Sequence, residues 1–310
     1  MKIRGEFLLS VVNAETGAIR LQRKFDNMIT DNGLKYAMNY TGGNGGYFAV
    51  SNGNTPPSAS DITMSGSMNI RTGDVGLIGN AVSLGSPTYG FKVSKSARYA
   101  AGAINATISE IGFFNAGGLW SRQLILDDQG NPSTITVLQN EYLDVTYTLY
   151  MYPNLNDLHF QFVMNGQTYT CVSRIAKAAS AGATAFVNNF SYSGVCIPGY
   201  QTGGGGALET QTLGSITGQP AGQVYNANYG TISTRAEPYD TSEPFSRKYR
   251  LDVALNNLNV PGGIGSILIC DQGNLAHWWH QISFAPKLPK DENTTMTLIF
   301  SDTISRYSAP

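Results

Sequence analysis

The sequence predicts a mostly-β protein: one or more antiparallel, sandwich-like domains with one or two short helices and long Gly/Ser/Asn-rich loops. Three observations carry this. Apolar residues recur at every second position in several segments, the period of a half-buried strand. The chain holds 35 glycines, suited to tight turns. Charged residues make up only 13%, while 17 tyrosines accompany many Thr and Val, all of which favour pleated surfaces. At 310 residues the chain can bury a sizeable core, as one large β domain or two smaller ones.

The elements follow in order. Ile3, Phe7, Leu9 and Val11 share one parity against Lys2, Arg4 and Glu6, and Ile19, Leu21 and Phe25 return after Asn13 to Gly17, which reads as a hairpin. Thr30 is placed to cap a short helix over 30–40, with Leu34, Ala37 and Met38 at helical spacing. Residues 41 to 103 read as short strands and long loops, with a strand at Tyr47 to Val50. Trp120 to Leu126 is an apolar run, and from Leu143 the residues Leu143, Val145, Tyr147 and Leu149 alternate with Asp144, Thr146 and Thr148. Between them Asp127-Asp128-Gln129-Gly130-Asn131-Pro132 has the composition of a turn joining antiparallel strands.

Pro153, Asn154 and Asn156 then mark a domain boundary or sheet crossover, dividing the chain into residues 1–155 and 156–310. Phe160, Phe162 and Met164 lead into Asn165-Gly166, with Tyr169 and Cys171 beyond it, a strong hairpin signal. Residues 172 to 184 are Ala-rich, which favours helix, with Gly182 against it. The Gly/Thr/Gln-rich tract over 198–238 reads as a surface loop, or as an arm ordered only against neighbouring subunits. Strands return at Tyr249 to Leu255, Ile264 to Cys270, Trp278 to Phe284 and Met296 to Phe300. A faint echo links Leu119 to Leu124 with His277 to Ile282, as two related sandwich modules or by chance.

Composition excludes some chemistry. The net charge of −1 with no basic run supplies nothing to neutralise phosphates, so no nucleic-acid partner is expected. Cys171, Cys196 and Cys270 are widely spaced, with no C-x-x-C pair; they read as buried thiols that fold in a reducing cytoplasm. The apolar run at the N-terminus is interrupted by Glu6 and Ser10 and too short for a signal peptide, and no stretch approaches a membrane span. No G-x-S-x-G elbow, P-loop or Rossmann glycine pattern is present, and Gly203 to Gly206 reads as flexible loop. His277 and His280 stand three apart, on opposite faces of a strand, so they do not readily share a metal. The intervening Trp278 and Trp279 are better suited to packing or to subunit contact. Asp127 and Asp128 read as a solvated hairpin tip without EF-hand spacing, and His159 as a surface or hinge residue. No catalytic residue, cofactor or metal site is expected.

Three blocks, in order, carry a family resemblance. They are Phe25-Asp26-Asn27-Met28-Ile29-Thr30-Asp31-Asn32-Gly33-Leu34; Val50-Ser51-Asn52-Gly53-Asn54-Thr55-Pro56-Pro57; and Ile108 to Phe113 with Leu119-Trp120-Ser121-Arg122 and Leu143 to Tyr147. Together they resemble virion structural proteins of tailed bacteriophages, particularly small tail and tail-fibre-associated proteins. Ser51 stands where that pattern has glycine and Trp120 where it has phenylalanine.

The resemblance implies a non-enzymatic virion component, in the tail more than the head, made in the host cytoplasm. It would assemble with itself as a trimer or hexamer and contact other tail proteins. Glu110 and Arg122, charged inside apolar runs, read as an ion pair within a sheet, a solvent-facing edge, or an intersubunit contact that sets register. With Trp120, Trp278 and Trp279 they form the candidate interface set. A carbohydrate- or receptor-binding adhesion protein that contacts host surface glycan, and a capsid decoration protein, are the rival readings.

Overall fold

The computed structural model describes residues 1–38, 46–68, 70–73, 76–85, 89–115, 117–175, 205–215, 224–225, 232–255, 257–270 and 278–307. The protein is mostly β, built from curled antiparallel sheets. Strands β1 (Lys2–Asn13) and β2 (Ile19–Ile29) form the first hairpin, with Asn13 Oδ1 accepting from the Glu15 and Thr16 N–H groups and Gly17 at φ +71°. Ile3, Phe7, Leu9 and Val11 are buried, but Ile19 is exposed. A bulge shifts the register so that Val11 faces Leu21 while Val12 faces Ile19, and the shift withdraws Ile19 from the core row.

Helix α1 (Asp31–Met38) is the one helix among the described residues. Thr30 caps it, its Oγ1 accepting the Gly33 N–H at 3.0 Å. The chain continues through β3 (Gly46–Ser51), β4 (Ile70–Arg71), β5 (Gly76–Ser83), β6 (Phe91–Tyr99), β7 (Ala106–Ile108), β8 (Glu110–Asn115), β9 (Gly118–Leu124), β10 (Ile135–Val137) and β11 (Glu141–Tyr152). These give one long path, β4-β3-β8-β9-β2-β1-β11-β6-β5, beside a small β10-β7 pair. Two backbone pairs, Met28↔Arg122 and Ile29↔Ser121, join β2 to β9, and there the sheet folds over on itself. Its halves meet through aromatic rings: Phe7 lies 6.2 Å from Phe48, and Tyr147 5.1 Å from Phe113.

Turn 127–132 does not pair the strands it separates. The Asp127 carboxylate accepts the Gln129 and Asn131 N–H groups, which holds its pKa below the usual range, yet the only bridge closed is Leu126↔Pro132. Strand β9 pairs with β8 and β2, whereas β11 pairs with β1 and β6. The turn chemistry reverses the chain locally, and long-range packing chooses the partners.

The second half contains β12 (Leu158–Met164), β13 (Gln167–Ile175), β14 (Gly205–Leu208), β15 (Val224–Tyr225), β16 (Ile232–Ala236), β17 (Ser246–Val253), β18 (Ile264–Cys270), β19 (Trp278–Leu288), β20 (Met296–Thr303) and β21 (Ser305–Arg306). Asn165 and Gly166, both at positive φ, turn β12 into β13. A six-stranded sheet, β12-β13-β19-β18-β14-β15, faces a three-stranded sheet, β16-β17-β20, around a second core that includes Cys171, Leu251, Ile267 and Phe284. Burial raises the Cys171 thiol to about 11. Cys196 and the Cys270 side chain lie outside the described residues.

Two expectations are corrected here. Val172–Ile175 belong to β13 and not to a helix, the remainder of 172–184 lying outside the described residues. Within 198–238, Gly205–Leu208, Val224–Tyr225 and Ile232–Ala236 are strands of the chain's own sheets. The end of the chain returns to the first core: Ile304 is buried there, β21 pairs parallel with β1, and the Tyr307 N–H donates to Ile3 O at 2.7 Å.

Candidate functional site: a buried polar hub and an open sheet edge

The three motif blocks, far apart in sequence, meet in one network: the second and third build a polar hub, and the first joins it through Thr30 and Asp31. Strand β8 is buried along its whole length. Ile111 and Phe113 enter the first core, and the opposite face lies under loop 52–68. Glu110 therefore has no solvent face and draws its partners from the loop. Its carboxylate accepts the Ser65 N–H at 3.0 Å, the Ser65 hydroxyl at 3.2 Å and the Gly66 N–H at 3.3 Å, and it pairs with Arg122 on β9. Arg122 spreads its fork further: Nε donates to Asp61 Oδ2 at 2.6 Å, and the terminal nitrogens to Thr55 O and Pro56 O at 3.1 Å each.

Close packing around the hub requires small residues. A Cβ on Gly53 would overlap Ser65 Oγ and Glu110 Oε2, and one on Gly66 would overlap Ser51 Oγ. Ser51, where glycine was expected, accepts the Gly53 N–H at 3.2 Å. The loop is tied to the helix as well, because the Asp31 N–H donates to Ala59 O at 2.7 Å.

Thr30 extends the network into the first core. Its hydroxyl donates to Leu119 O at 2.8 Å while accepting the Gly33 N–H, so one side chain both caps α1 and fastens it to β9. Next along β9, Trp120 Nε1 donates to the Tyr147 hydroxyl at 3.0 Å. Burial pushes the Tyr147 phenol up, against hydrogen bonds with Ser121, Asn27 and Trp120. An indole at position 120 thus has a polar partner that phenylalanine could not engage.

The hub fastens loop 52–68 to the sheet. Glu110 is 0% and Arg122 1% exposed, and the Glu110 carboxylate is taken up by groups of the same chain. Glu110, Trp120 and Arg122 are consequently interior residues, which corrects their place in the candidate interface set. Sequence reasoning singled out the pair but missed Asp61, Ser65 and Gly66. The only local signal for them was a polar, Gly/Ser-rich loop.

The other candidates lie apart. Trp278 begins β19, its backbone paired with Cys270; the side chains of Trp278, Trp279 and His280, and the whole of His277, lie outside the described residues. Asp128 is exposed and meets Arg23 at 3.4 Å. His159 is exposed on β12. Among the described residues no three His, Cys, Asp or Glu side chains gather as a metal site, and no helix is long and apolar enough to cross a membrane.

One surface feature was not anticipated. β12 and β20 are edge strands of the two facing sheets, and between them opens a cavity of about 820 Å³, lined by residues that include Phe160, Phe162, Phe284, Met296, Leu298 and Phe300. Its size and apolar walls are those of a binding cleft. On the other half, the outer face of β11 carries Tyr150 and Tyr152 with parallel rings 6.5 Å apart; Tyr307 lies 4.6 Å beyond Tyr152, and the Arg4 guanidinium 4.4 Å over Tyr150. No protein-family model matches the chain, and neither a curated protein nor a solved structure matches it.

Proposed function

We propose that the protein is a structural component of a tailed-bacteriophage virion, in the tail or its fibres, that assembles as a symmetric oligomer and contacts other tail proteins without catalysing a reaction. The observation supporting this most is the convergence of the motif blocks. The residues that resemble the phage family are those that cap α1, fasten loop 52–68 and fill the aromatic core. Such a scaffold holds loops in fixed positions, as repeated contacts in a large assembly require. Immunogold electron microscopy of intact particles, with an antibody raised against this chain, tests the proposal. Label on the tail or fibres is expected; label over the head would make it a capsid decoration protein, and unlabelled virions would refute the structural role.

A second reading, contact with host surface glycan, draws on the row of Tyr150, Tyr152 and Tyr307, whose half-buried rings present aromatic area on an outer sheet face. Glycan-array binding that is lost in Tyr152→Ala would favour adhesion.

A further inference from the structure

Strand β12 hydrogen-bonds to β13 on one side, and among the described residues no strand lies on its other side. Leu158, Phe160 and Val163 on it are 57%, 43% and 67% exposed. Monomeric proteins guard such edges with lysine, proline, inward charges or bulges. The stretch Leu158–Met164, LHFQFVM, has none of these residues, and it runs in unbroken register against β13 over seven pairs. A long, regular, apolar edge beside an apolar cavity marks an interaction surface.

We propose that β12 pairs edge to edge with β12 of a second copy of this chain, antiparallel about a two-fold axis at Gln161, so that two six-stranded sheets become one and the apolar row at Phe160 closes the mouth of the cavity. Charge and hydrogen bonding favour this occupant. The strand carries no Lys, Arg, Asp or Glu, so two identical copies meet without repulsion. Among the described residues the cavity lining has one such charged residue, Asp291, and no Lys or Arg to receive an anionic amphiphile. An acyl chain would leave the N–H and C=O groups of the edge unpaired, whereas an incoming strand satisfies them. Gln161 is the middle residue of the seven, and centring the axis there makes an isologous contact in which Val163 faces His159 of the partner subunit. The proposal rests on the symmetric assembly proposed above but not on a place in the virion. A two-fold contact of this kind fits a hexamer of paired trimers and not a lone trimer.

Sedimentation velocity of the full chain tests it. The wild type is expected to sediment with an even copy number. Val163→Lys, at an exposed position of the single copy, should halve the assembly mass while the circular dichroism spectrum stays that of the folded chain, because each copy then buries an unpaired ammonium at the joint. Adding His159→Glu to Val163→Lys places opposite charges across both symmetric pairs and should restore the mass. Gln161→Lys, which brings two lysines together at the axis, provides the same readout should Val163→Lys misfold. A wild type that stays monomeric at all concentrations overturns the pairing and the symmetric assembly together. An odd copy number, a mass unmoved by either lysine, or no rescue by His159→Glu overturns the pairing alone.

Discussion

Glu110→Ala is the most direct probe of the hub. The change removes the acceptor of two backbone N–H groups, Ser65 and Gly66, and of the Ser65 hydroxyl, and it strips a carboxylate from a guanidinium that is 1% exposed. Breaking a buried ion pair by deleting one partner costs about 3–5 kcal/mol, since the other charge stays buried. Arg122 keeps Asp61, Thr55 O and Pro56 O, which pulls the cost toward the lower end. Each backbone N–H left dry adds about 1–3 kcal/mol, reduced where loop 52–68 lifts and water enters. With about 3 kcal/mol from the ion pair and about 1 kcal/mol from each of the two N–H groups, the loss is roughly 5 kcal/mol, or about 10–20 °C in melting. Urea titration by circular dichroism measures the loss, and limited proteolysis should show cleavage within 52–68 before global unfolding. Glu110→Leu with Arg122→Met removes both charges of the buried pair, leaving Asp61, whose side chain is 23% exposed, to solvent, and should cost less than its two single changes added together. A loss under about 1 kcal/mol, the value of an exposed pair, would refute the reasoning, as would a double variant equal to the sum of its single changes.

Other outcomes follow from single contacts. Gly33→Ala, which in an open helix gains about 1 kcal/mol, should instead lower the thermal midpoint, because the new Cβ meets Trp120 O; the net loss expected is roughly 1–3 kcal/mol. Trp120→Phe should cost about 1–3 kcal/mol in urea titration by removing the donor to Tyr147, so an unchanged midpoint would mean that this hydrogen bond contributes nothing. Arg20, hydrogen-bonded to Glu141, holds that carboxyl below its usual range. With the folded pKa depressed, the associated stability is complete above the unfolded value of about 4.3 and disappears as pH falls through the folded one. Glu141→Gln should therefore flatten the acid limb of a stability-versus-pH curve, and an unchanged slope would exclude this pair as its source.

Elements whose cause is local were legible. Asn165-Gly166 needs only its own positive-φ tolerance to turn a hairpin, and Thr30 only its hydroxyl to cap α1. Strand β6 was hidden within a region read as short strands and loops, although it pairs with β11 from Phe91 to Tyr99. Its inward row includes Lys95, a charged residue buried at an apolar parity, which obscures the period of two. Glu110 and Arg122 stood out as charges in apolar runs, but nothing in their spacing says that Ser65 and Asp61 would reach them.

By itself the sequence determined the β class, the hairpin turns and the site of the helix, since backbone preference and side-chain alternation act between near neighbours. The tertiary structure alone decided that β9 and β11 join different partners, that β21 returns to β1, and that loop 52–68 closes over Glu110. Those contacts span tens to hundreds of residues, where pairing depends on which buried charge and which apolar face must be covered together, and no local periodicity records that.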